Sequence, residues 1–258
     1  MNMTFFKYQG TGNDFVILDN RKSLFPKENT SLVASLCDRH FGIGADGLIL
    51  LENDNTADFK MIYYNADGNE STMCGNGGRC IVAFAKTLHL FENKTSFIAI
   101  DGLHYAEIKD DIVSLQMIDV DDVKVMEDSI FADTGSPHHI EVVDDLANFP
   151  VFERGREVRN EVYGKEGSNV NFVQQVDENT FQIRTYERGV EDETLACGTG
   201  VTAAAIAMHT LKKTNTNIIN LLVEGGKLQV SFDFVDGRYK NVILSGPAQF
   251  VFQGSINV

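Results

Sequence analysis

The sequence predicts an α+β fold made of two pseudo-symmetric halves, and three observations support this prediction. Short apolar runs bounded by Gly, Asn or Asp are frequent, stretches with helical spacing are few, and one ten-residue motif occurs twice. The chain of 258 residues is 43% hydrophobic and 23% charged, which is typical of a folded globular protein and not of a disordered or fibrous one. A chain of this length buries enough surface to fold without disulfides or a metal.

The predicted strands form two sets, one in each half of the chain. The first set covers residues 15–18, 47–51, 59–64, 96–100 and 113–117. The second set covers residues 139–143, 170–173, 181–186, 218–223, 228–232, 241–244 and 249–252. Helical spacing is found at residues 31–39, where Ser31 starts the helix, and at residues 79–90 and 201–212. Each half is therefore expected to be a mostly β unit around one apolar helix.

The last two predicted helices each follow a glycine-rich turn, and the two turns are alike. The chain reads E-S-T-M-C-G-N-G-G-R around Cys74 and E-T-L-A-C-G-T-G-V-T around Cys197. In both copies, Glu stands four residues before Cys, and Thr-Leu follows 13 and 14 residues after it. A short match can arise by chance, but the flanking residues in register favour an internal duplication, with the halves joined near residues 119–122.

Charge and cysteine content exclude several classes of protein. The net charge of −15 argues against binding to nucleic acid or to an anionic membrane. The four cysteines contain no C-x-x-C, so they fit neither a disulfide scaffold nor a zinc site, and no metal is predicted. The N-terminus has no signal-peptide pattern, which favours a reducing cytoplasm. Cys37 and Cys80 are expected to be small buried hydrophobes.

Two further patterns have simple structural interpretations. The uncharged stretch at 194–211 contains glycines, threonines and many alanines, which favours a buried helix over a membrane span. Residues 42–47 fit G-x-G-x-x-G, but a helical pattern precedes them and a strand follows, the reverse of the order in a dinucleotide-binding motif. A tight turn is expected there, and no nucleotide cofactor.

The two C-G-x-G turns carry the strongest chemical signal. At a helix start, backbone N–H groups and the helix dipole attract anions and lower the pKa of a nearby thiol. If Cys74 and Cys197 face one cleft between the halves, one thiolate can remove a proton from carbon while the other thiol returns one to the opposite face. That chemistry is racemisation or epimerisation, with amides holding the adjacent carboxylate. A thiol hydrolase that uses His138, and a noncatalytic amino-acid-binding protein, remain alternatives.

These turns belong to a set of motifs that closely resembles the diaminopimelate epimerase family. The set comprises Gly10-Thr11-Gly12-Asn13-Asp14-Phe15, Asn65-Ala66-Asp67-Gly68, Met73-Cys74-Gly75-Asn76-Gly77 and the segment from Glu187-Arg188-Gly189 through Cys197-Gly198-Thr199-Gly200. The motifs follow family order from residue 8 to about residue 200. Proline racemase and the phenazine-pathway isomerase are more distant, because they lack the combination of Asn13, Asn65 and Glu187-Arg188.

The resemblance implies both architecture and activity. It implies two domains, 1–118 with 247–258 carrying Cys74 and 119–246 carrying Cys197, with the active site in the cleft between them. Each domain would be a mixed β-sheet or barrel wrapped around a central apolar helix. The activity would be cofactor-independent interconversion of LL- and meso-2,6-diaminopimelate for lysine and peptidoglycan synthesis, by a cytoplasmic homodimer. Another amino-acid racemase on the same scaffold, acting on proline or hydroxyproline, is the alternative.

The resemblance also assigns roles by matched position. Cys74 and Cys197 would transfer the proton. The remaining roles fall to backbone groups at the reacting carboxylate (Gly75, Asn76, Gly198, Thr199), side chains at the far end of the substrate (Asn65, Asn169, Glu187, Arg188), Asn13 near the reacting amine, and His138 and Glu187 as positions important for activity. From the residues alone, Asn65 and Asn13 also fit turn positions, Arg188 fits a surface charge, and His138 fits a loop residue that satisfies a backbone carbonyl. Some family members have glutamine where Gly47 stands and asparagine where Ser136 stands. Gly47 has no side chain and Ser136 has a shorter reach, so the resemblance gives less detail about how the substrate amine is bound.

Overall fold

Short strands and tight turns make up most of the chain in this computed structural model, which describes residues 2–71 and 73–257. The strands are β1 (Asn2–Gly10), β2 (Asn13–Asp19), β3 (Gly47–Glu52), β4 (Phe59–Asn65), β5 (Lys94–Ala99), β6 (Gly102–Lys109), β7 (Ile112–Gln116), β8 (Val123–Val125), β9 (Ile130–Asp133), β10 (Pro137–Val142), β11 (Asn169–Gln175), β12 (Thr180–Glu187), β13 (Asp192–Thr194), β14 (Ile218–Val223), β15 (Gly226–Val235), β16 (Arg238–Pro247) and β17 (Gln249–Asn257). The helices are α1 (Thr30–Cys37), α2 (Gly75–Thr87), α3 (Val151–Glu157), with a π-helical turn at Val158–Val162, and α4 (Gly198–Thr210). The predicted α+β class is confirmed, and each predicted strand and helix is present.

Several elements carry no clear sequence signal. The pattern missed β1, β6, β8, β9, β13 and α3. In α3 the reason is Gly155, which weakens the helical pattern but is required because a Cβ there would lie 2.3 Å from the Cβ of Tyr186. The start of α1 was also misplaced: Asn29 is the N-cap, and its side chain accepts a 3.0 Å hydrogen bond from Leu32 N.

The chain divides into two compact units, the first of which comprises Met1–Leu115 and Gly246–Val258. In this unit β1 pairs antiparallel with β2 and β17, and β2 runs parallel to β3. The sheet continues with β3–β4 antiparallel, β4–β5 parallel, and β5–β6 and β6–β7 antiparallel. Helix α2 packs against β1, β2 and β3, and its residues from Gly75 to Ala85 are buried.

The second unit comprises Gln116–Ser245 and repeats this order of pairings. Strands β8, β9 and β10 pair antiparallel, and β10 runs parallel to β11. The sheet continues with β11–β12 antiparallel, β12–β14 parallel, and β14–β15 and β15–β16 antiparallel. Helix α4 packs against β10, β11 and β14. Each unit thus wraps one buried helix of 13 residues, as an internal duplication predicts.

The uncharged stretch at 194–211 forms the buried helix α4, as expected. Across residues 2–71 and 73–257, no helix is both long and apolar enough to cross a membrane. The expectation that Cys37 and Cys80 are buried hydrophobes is also confirmed, since their exposed fractions are 3% and 0%. Burial raises the pKa of Cys37 to about 11 and that of Cys80 to about 12, so both remain protonated thiols.

Candidate active site

The two cysteines of the repeated motif occupy the same position in their respective helices. Cys74 is the N-cap of α2 and Cys197 is the N-cap of α4, each with an extended backbone. The carbonyl of Cys74 accepts a 2.7 Å hydrogen bond from Gly78 N, and that of Cys197 accepts one of 2.9 Å from Val201 N. Each thiol therefore stands at the positive end of a buried helix, whose first N–H groups have no acceptor within the helix itself.

Asn13 is the side chain that meets Cys74 in the first unit. The Asn13 carbonyl oxygen Oδ1 lies 3.6 Å from Cys74 Sγ and accepts a 3.2 Å hydrogen bond from Asn76 Nδ2. Asn13 Nδ2 donates to a carboxylate oxygen of Asp46 at 2.6 Å. Because a carboxylate only accepts, Asp46 fixes the amide orientation and leaves the Asn13 carbonyl facing the thiol.

Asp46 belongs to a charged cluster at the start of β2 and β3. Arg39 Nη2 binds Asp14 Oδ1 at 2.8 Å and Asp46 Oδ1 at 2.6 Å. Lys7 Nζ binds Asp14 Oδ2 at 2.8 Å and also donates to the carbonyl of Gly44. Burial raises the pKa of Asp14, but the hydrogen bonds and charges of Arg39 and Lys7 outweigh it and lower the pKa to about 2. Asp14 therefore remains ionised at neutral pH, and Asp46 holds the Asn13 side chain.

Arg79 lies within α2 and is fully buried at 0% exposure. Its guanidinium donates to Thr11 Oγ1 at 3.2 Å, to Asn76 Oδ1 at 3.0 Å and to the Gly75 carbonyl at 3.4 Å. The contact with Asn76 Oδ1 leaves Asn76 Nδ2 directed at Asn13. Arg79 therefore fixes the orientation of the Asn76 side chain and places a positive charge near the first turn of α2.

In the second unit, Cys197 meets a different set of groups. Its Sγ lies 3.4 Å from the Thr199 hydroxyl, which in turn lies 2.9 Å from His138 Nε2. Ser136 Oγ lies 3.0 Å from the same nitrogen and 3.1 Å from the Thr199 hydroxyl. Ser136 Oγ also accepts a 3.2 Å hydrogen bond from Asn169 Nδ2. A triangle of polar groups, formed by His138, Ser136 and Thr199, supports the Cys197 thiol.

His138 is fully buried at 0% exposure. Burial first, and then the positive charge of Arg188, lower the pKa of His138 to about 3. The imidazole is therefore neutral, and it is too weak a base to take the proton of a thiol. This arrangement disfavours a hydrolase in which His138 activates Cys197, and it leaves His138 a role through hydrogen bonds.

Asn169, Glu187 and Arg188 lie close together beside this triangle. Asn169 Nδ2 donates to Ser136 Oγ at 3.2 Å, and Asn169 Oδ1 accepts from the backbone N of Arg188 at 2.9 Å. The Arg188 side chain donates to the carbonyl of Glu166 at 2.9 Å, and Glu187 Oε2 accepts from Thr194 at 2.9 Å. Both charged side chains are half-buried.

Asn65 and Gly47 meet at one end of the first unit. Asn65 is the exposed last residue of β4 and is paired with Gly47, the first residue of β3. The backbone N of Asn65 donates to the Asn69 carbonyl at 3.0 Å. A Cβ at Gly47 would lie 2.5 Å from the backbone oxygen of Tyr64 and 2.6 Å from the ring carbon Cε2 of Tyr63. The Tyr64 carbonyl and the Tyr63 ring therefore fill the space that a side chain at position 47 would need, which accounts for the glycine.

Sequence reasoning missed Asp46, Arg79 and Asn171 as supports of the site. A signal existed for Asn171, because N-V-N-F-V at residues 169–173 places two polar side chains on one face of an otherwise apolar strand. A signal also existed for Arg79, which stands in the first turns of an apolar helix. Nothing local pointed to Asp46, whose role depends on the pairing of β2 with β3.

Comparisons with known proteins agree on one family. The family model for diaminopimelate epimerase matches residues 5–124 and 130–251. The diaminopimelate epimerase of Flavobacterium psychrophilum is 60% identical over 256 residues, which cover 98% of this chain and 100% of the relative. The diaminopimelate epimerase of Chlorobaculum tepidum is 42% identical, with 96% of this chain and 99% of the relative covered.

Solved structures with low sequence identity share the fold. A PhzF-family phenazine biosynthesis protein from Bacillus anthracis superposes with a TM-score of 0.81 at 14% identity, and each chain is covered over 100% of its length. A hydroxyproline epimerase from Agrobacterium vitis gives a TM-score of 0.68 at 15% identity, with 99% of this chain and 92% of that chain covered. At such identities the likeness concerns the fold alone.

Proposed function

Because the chain belongs to the diaminopimelate epimerase family, we propose that it interconverts LL- and meso-2,6-diaminopimelate by a two-base mechanism without a cofactor. It is then an isomerase of lysine and peptidoglycan precursor synthesis. The observation that carries the proposal is the pair of helices α2 and α4, each of 13 residues and each N-capped by a cysteine. Two equivalent thiols at two helix starts are what proton transfer on both faces of one carbon requires.

The proposed reaction consists of two proton transfers, one from Cα and one to Cα, and needs no oxidant or reductant. The thiolate of one cysteine takes the proton from Cα, and the C–H electron pair passes into the adjacent carboxylate. The backbone N–H groups of Gly75, Asn76, Gly198 and Thr199 hold that carboxylate and stabilise its added charge. The thiol of the other cysteine then gives its proton to the opposite face of Cα. Configuration inverts, and the thiol and thiolate states of Cys74 and Cys197 are exchanged.

The far end of the substrate is assigned to Asn65, Asn169, Glu187 and Arg188. The second amino-acid group of the substrate carries a carboxylate and an ammonium. Arg188 has the charge to bind that carboxylate, and the neighbouring Glu187 has the charge to bind that ammonium. Asn13 is assigned to the reacting amine, since its carbonyl faces Cys74. His138 and Glu187 are assigned as supports of activity.

Deuterium exchange tests this proposal directly. LL-diaminopimelate incubated with the protein in D2O, without pyridoxal phosphate, should give the meso isomer with one deuterium at the inverted Cα. Mass and chirality of the product are measured together. Recovery of the LL isomer alone, with no deuterium, would show that the chain is not this enzyme.

Cysteine variants test the two-base mechanism. Cys74→Ala and Cys197→Ala should each nearly abolish epimerisation, because each face of Cα needs its own acid or base. Cys→Ser variants should also be impaired, since a hydroxyl is a far poorer base at neutral pH. Cys80→Ala is the matched control on α2, buried at 0% exposure and outside the proposed step, and it should keep epimerase activity. Wild-type turnover in either Ala variant would remove that cysteine from the mechanism.

Arg188 tests the far-end assignment. Arg188→Ala should lower kcat/KM by about a hundredfold or more, because a charge-assisted bond is lost while its partner is left desolvated. Arg188→Lys should remain impaired, since it keeps the charge but loses the two-pronged geometry. Lysine, which lacks the second carboxylate, should be a poor substrate. Racemisation of lysine as fast as diaminopimelate would refute the far-end site.

We also propose a cytoplasmic homodimer with domains 1–118 plus 247–258 and 119–246. The family resemblance supports the dimer, and the net charge of −15 makes nucleic acid an unfavourable partner. Light scattering of the full chain measures the oligomeric state, and a monomeric mass would refute the dimer.

A further inference from the structure

Asn171 is a fully buried polar residue of β11 that the proposed mechanism does not use, with 0% of its surface exposed. We propose that Asn171 is a positioning residue: it fixes the tautomer of His138 and thereby directs the Thr199 hydroxyl hydrogen at Cys197 Sγ. The proposal rests on the proposed function of Cys197 as a proton-transfer residue. We call the chain of hydrogen bonds from Asn171 through His138 and Thr199 to Cys197 the relay, and all of it lies within the second unit.

Strand pairing brings the members of this relay to one face of the sheet. Strand β11 lies between β10 and β12, with His138 paired to Asn169 and Asn171 paired to Thr185. Side chains alternate along a strand, so residues 169 and 171 share a face. Helix α4 packs against these three strands. The starting turn of α4, which carries Thr199, therefore meets the row of polar side chains on the sheet.

The amide of Asn171 has one possible orientation. Its Nδ2 lies 2.9 Å from the carbonyl oxygen of His139, and its Oδ1 lies 3.0 Å from the Thr185 hydroxyl. A carbonyl oxygen only accepts, so the atom facing His139 is the amide nitrogen and not the oxygen. The second hydrogen of that nitrogen points at His138 Nδ1, at 3.1 Å.

This contact determines where His138 carries its proton. The imidazole is neutral because burial and the Arg188 charge lower its pKa to about 3. A neutral ring has one N–H and one acceptor nitrogen. Nδ1 faces an N–H donor of Asn171, so Nδ1 is the acceptor and Nε2 holds the hydrogen.

The proton on Nε2 determines the directions of the hydrogen bonds among His138, Ser136 and Thr199. Nε2–H lies 2.9 Å from the Thr199 hydroxyl and 3.0 Å from Ser136 Oγ. Because Ser136 Oγ also accepts from Asn169, we assign Ser136 as the donor to the Thr199 oxygen at 3.1 Å. The Thr199 oxygen then has two incoming hydrogens. Its own hydrogen is left for Cys197 Sγ, at 3.4 Å.

The opposite tautomer would reverse this effect. With the proton on Nδ1, Nε2 would become an acceptor, and the Thr199 hydroxyl would donate to His138 instead of to the sulfur. A donor at Sγ favours the thiolate over the thiol, as hydrogen bonds to a charged form do. Asn171 therefore favours the base form of Cys197 without touching it.

The first test measures the tautomer itself. In the full chain labelled with ¹⁵N-histidine, the ring shifts of His138 should show a protonated Nε2 and an unprotonated Nδ1. Asn171→Asp replaces the donor by an acceptor and should move the proton to Nδ1 at mildly alkaline pH. Gln174→Glu makes the same amide-to-acid change on β11, away from His138, and should leave the shifts unchanged. A protonated Nδ1 in the wild type would overturn the proposal.

The second test measures the consequence at the sulfur. The rate of Cys197 alkylation by iodoacetamide is followed by peptide mass spectrometry, with Cys74 in the same molecule as internal reference. Asn171→Asp should slow Cys197 about tenfold and leave Cys74 unchanged. Thr199→Val removes the hydroxyl and should have a similar effect.

A double-mutant cycle separates the relay from the new charge. In the Thr199→Val background, Asn171→Asp should have little further effect, because the relay is already broken. A through-space effect of the carboxylate would persist in that background and would overturn the proposal. Failure of the wild type to epimerise, with the tautomer as expected, would instead refute the proposed function and not this relay.

Discussion

The side-chain carbonyl of Asn13 faces the thiol of Cys74 across 3.6 Å, so Cys74 has an acceptor as its neighbour. Cys197 has instead the Thr199 hydroxyl at 3.4 Å, which acts as a donor in the relay proposed above. An acceptor favours the protonated thiol, and a donor favours the thiolate. The two equivalent cysteines therefore have different polar neighbours, a carbonyl oxygen at Cys74 and a hydroxyl at Cys197.

This difference predicts the order of alkylation. In the enzyme without substrate, iodoacetamide should modify Cys197 before Cys74, because only the thiolate is nucleophilic. Peptide mass spectrometry of samples quenched early in the reaction measures both rates. Asn13→Ala removes the acceptor and should speed Cys74 towards the rate of Cys197. Modification of Cys74 first would contradict the assignment of donor and acceptor.

The other two cysteines should be inert in the folded chain. Burial raises the pKa of Cys37 to about 11 and that of Cys80 to about 12, so neither forms a thiolate at neutral pH. Both should react with iodoacetamide only after a denaturant is added. Because their pKa values are raised by folding, ionisation should also weaken the fold as the pH rises above 9.0, the value for an ordinary thiol. Rapid labelling of Cys80 in the native protein would contradict its burial.

Acid should destabilise the first unit through Asp14. Burial opposes its charge, but Arg39 and Lys7 lower its pKa from 3.8 to about 2. A lowered carboxyl pKa stabilises the folded state above pH 3.8, and this contribution is lost as the pH falls towards 2. Denaturant unfolding at several pH values should show a loss of about 2 kcal/mol or less from this group.

Two variants isolate that contribution. Asp14→Asn should be less stable at neutral pH, since Lys7 is left without its carboxylate, and its unfolding free energy should change less with acid. Asp122→Asn removes an exposed carboxylate and should keep the wild-type acid dependence. Equal acid dependence in Asp14→Asn and the wild type would show that Asp14 is not the responsible group.

Local patterns predicted most of the fold but only part of the site. The short apolar runs of β3 and β4 and the apolar helices α2 and α4 gave elements of the right type, because buried strands and buried helices need such runs. Strands such as β6, which alternates buried with exposed residues but includes His104 and Glu107, lack the apolar contrast that a pattern needs. The repeated C-G-x-G located both proton-transfer candidates, since helix-start chemistry is local.

The supporting residues depend on tertiary pairing. Asn171 meets His138 only because β10 and β11 run parallel in one register, and no local pattern determines that register. Asp46 reaches Asn13 for the same reason, through β2 and β3. Arg79 has a sequence signal as a charged residue in an apolar helix, but its partners Thr11 and Asn76 are identified only in the folded unit.

The second glycine of the repeated motif has different physical reasons in its two copies. A Cβ at Gly200 would lie 2.5 Å from Asn171 Oδ1, a buried atom already bonded to Thr185. A Cβ at Gly77 would meet only the flexible ends of Ile49 at 3.2 Å and Met61 at 3.4 Å and the ring of Phe15 at 3.5 Å. Comparing Gly200→Ala with Gly77→Ala therefore separates the effect of displacing a buried polar side chain from the effect of tighter apolar packing.

Gly200→Ala should displace Asn171, lower kcat/KM at least about tenfold, slow alkylation of Cys197 and lower the free energy of unfolding by about 1–3 kcal/mol. Gly77→Ala should change unfolding by less than about 1 kcal/mol, because slight overpacking is offset by the helix propensity of alanine, and most activity should remain. Denaturant unfolding, epimerase assays and peptide mapping of both variants measure these effects. Equal losses in the two variants would show that both glycines serve the helix start alone, and that the close approach of Asn171 to α4 has no part in the reactivity of Cys197.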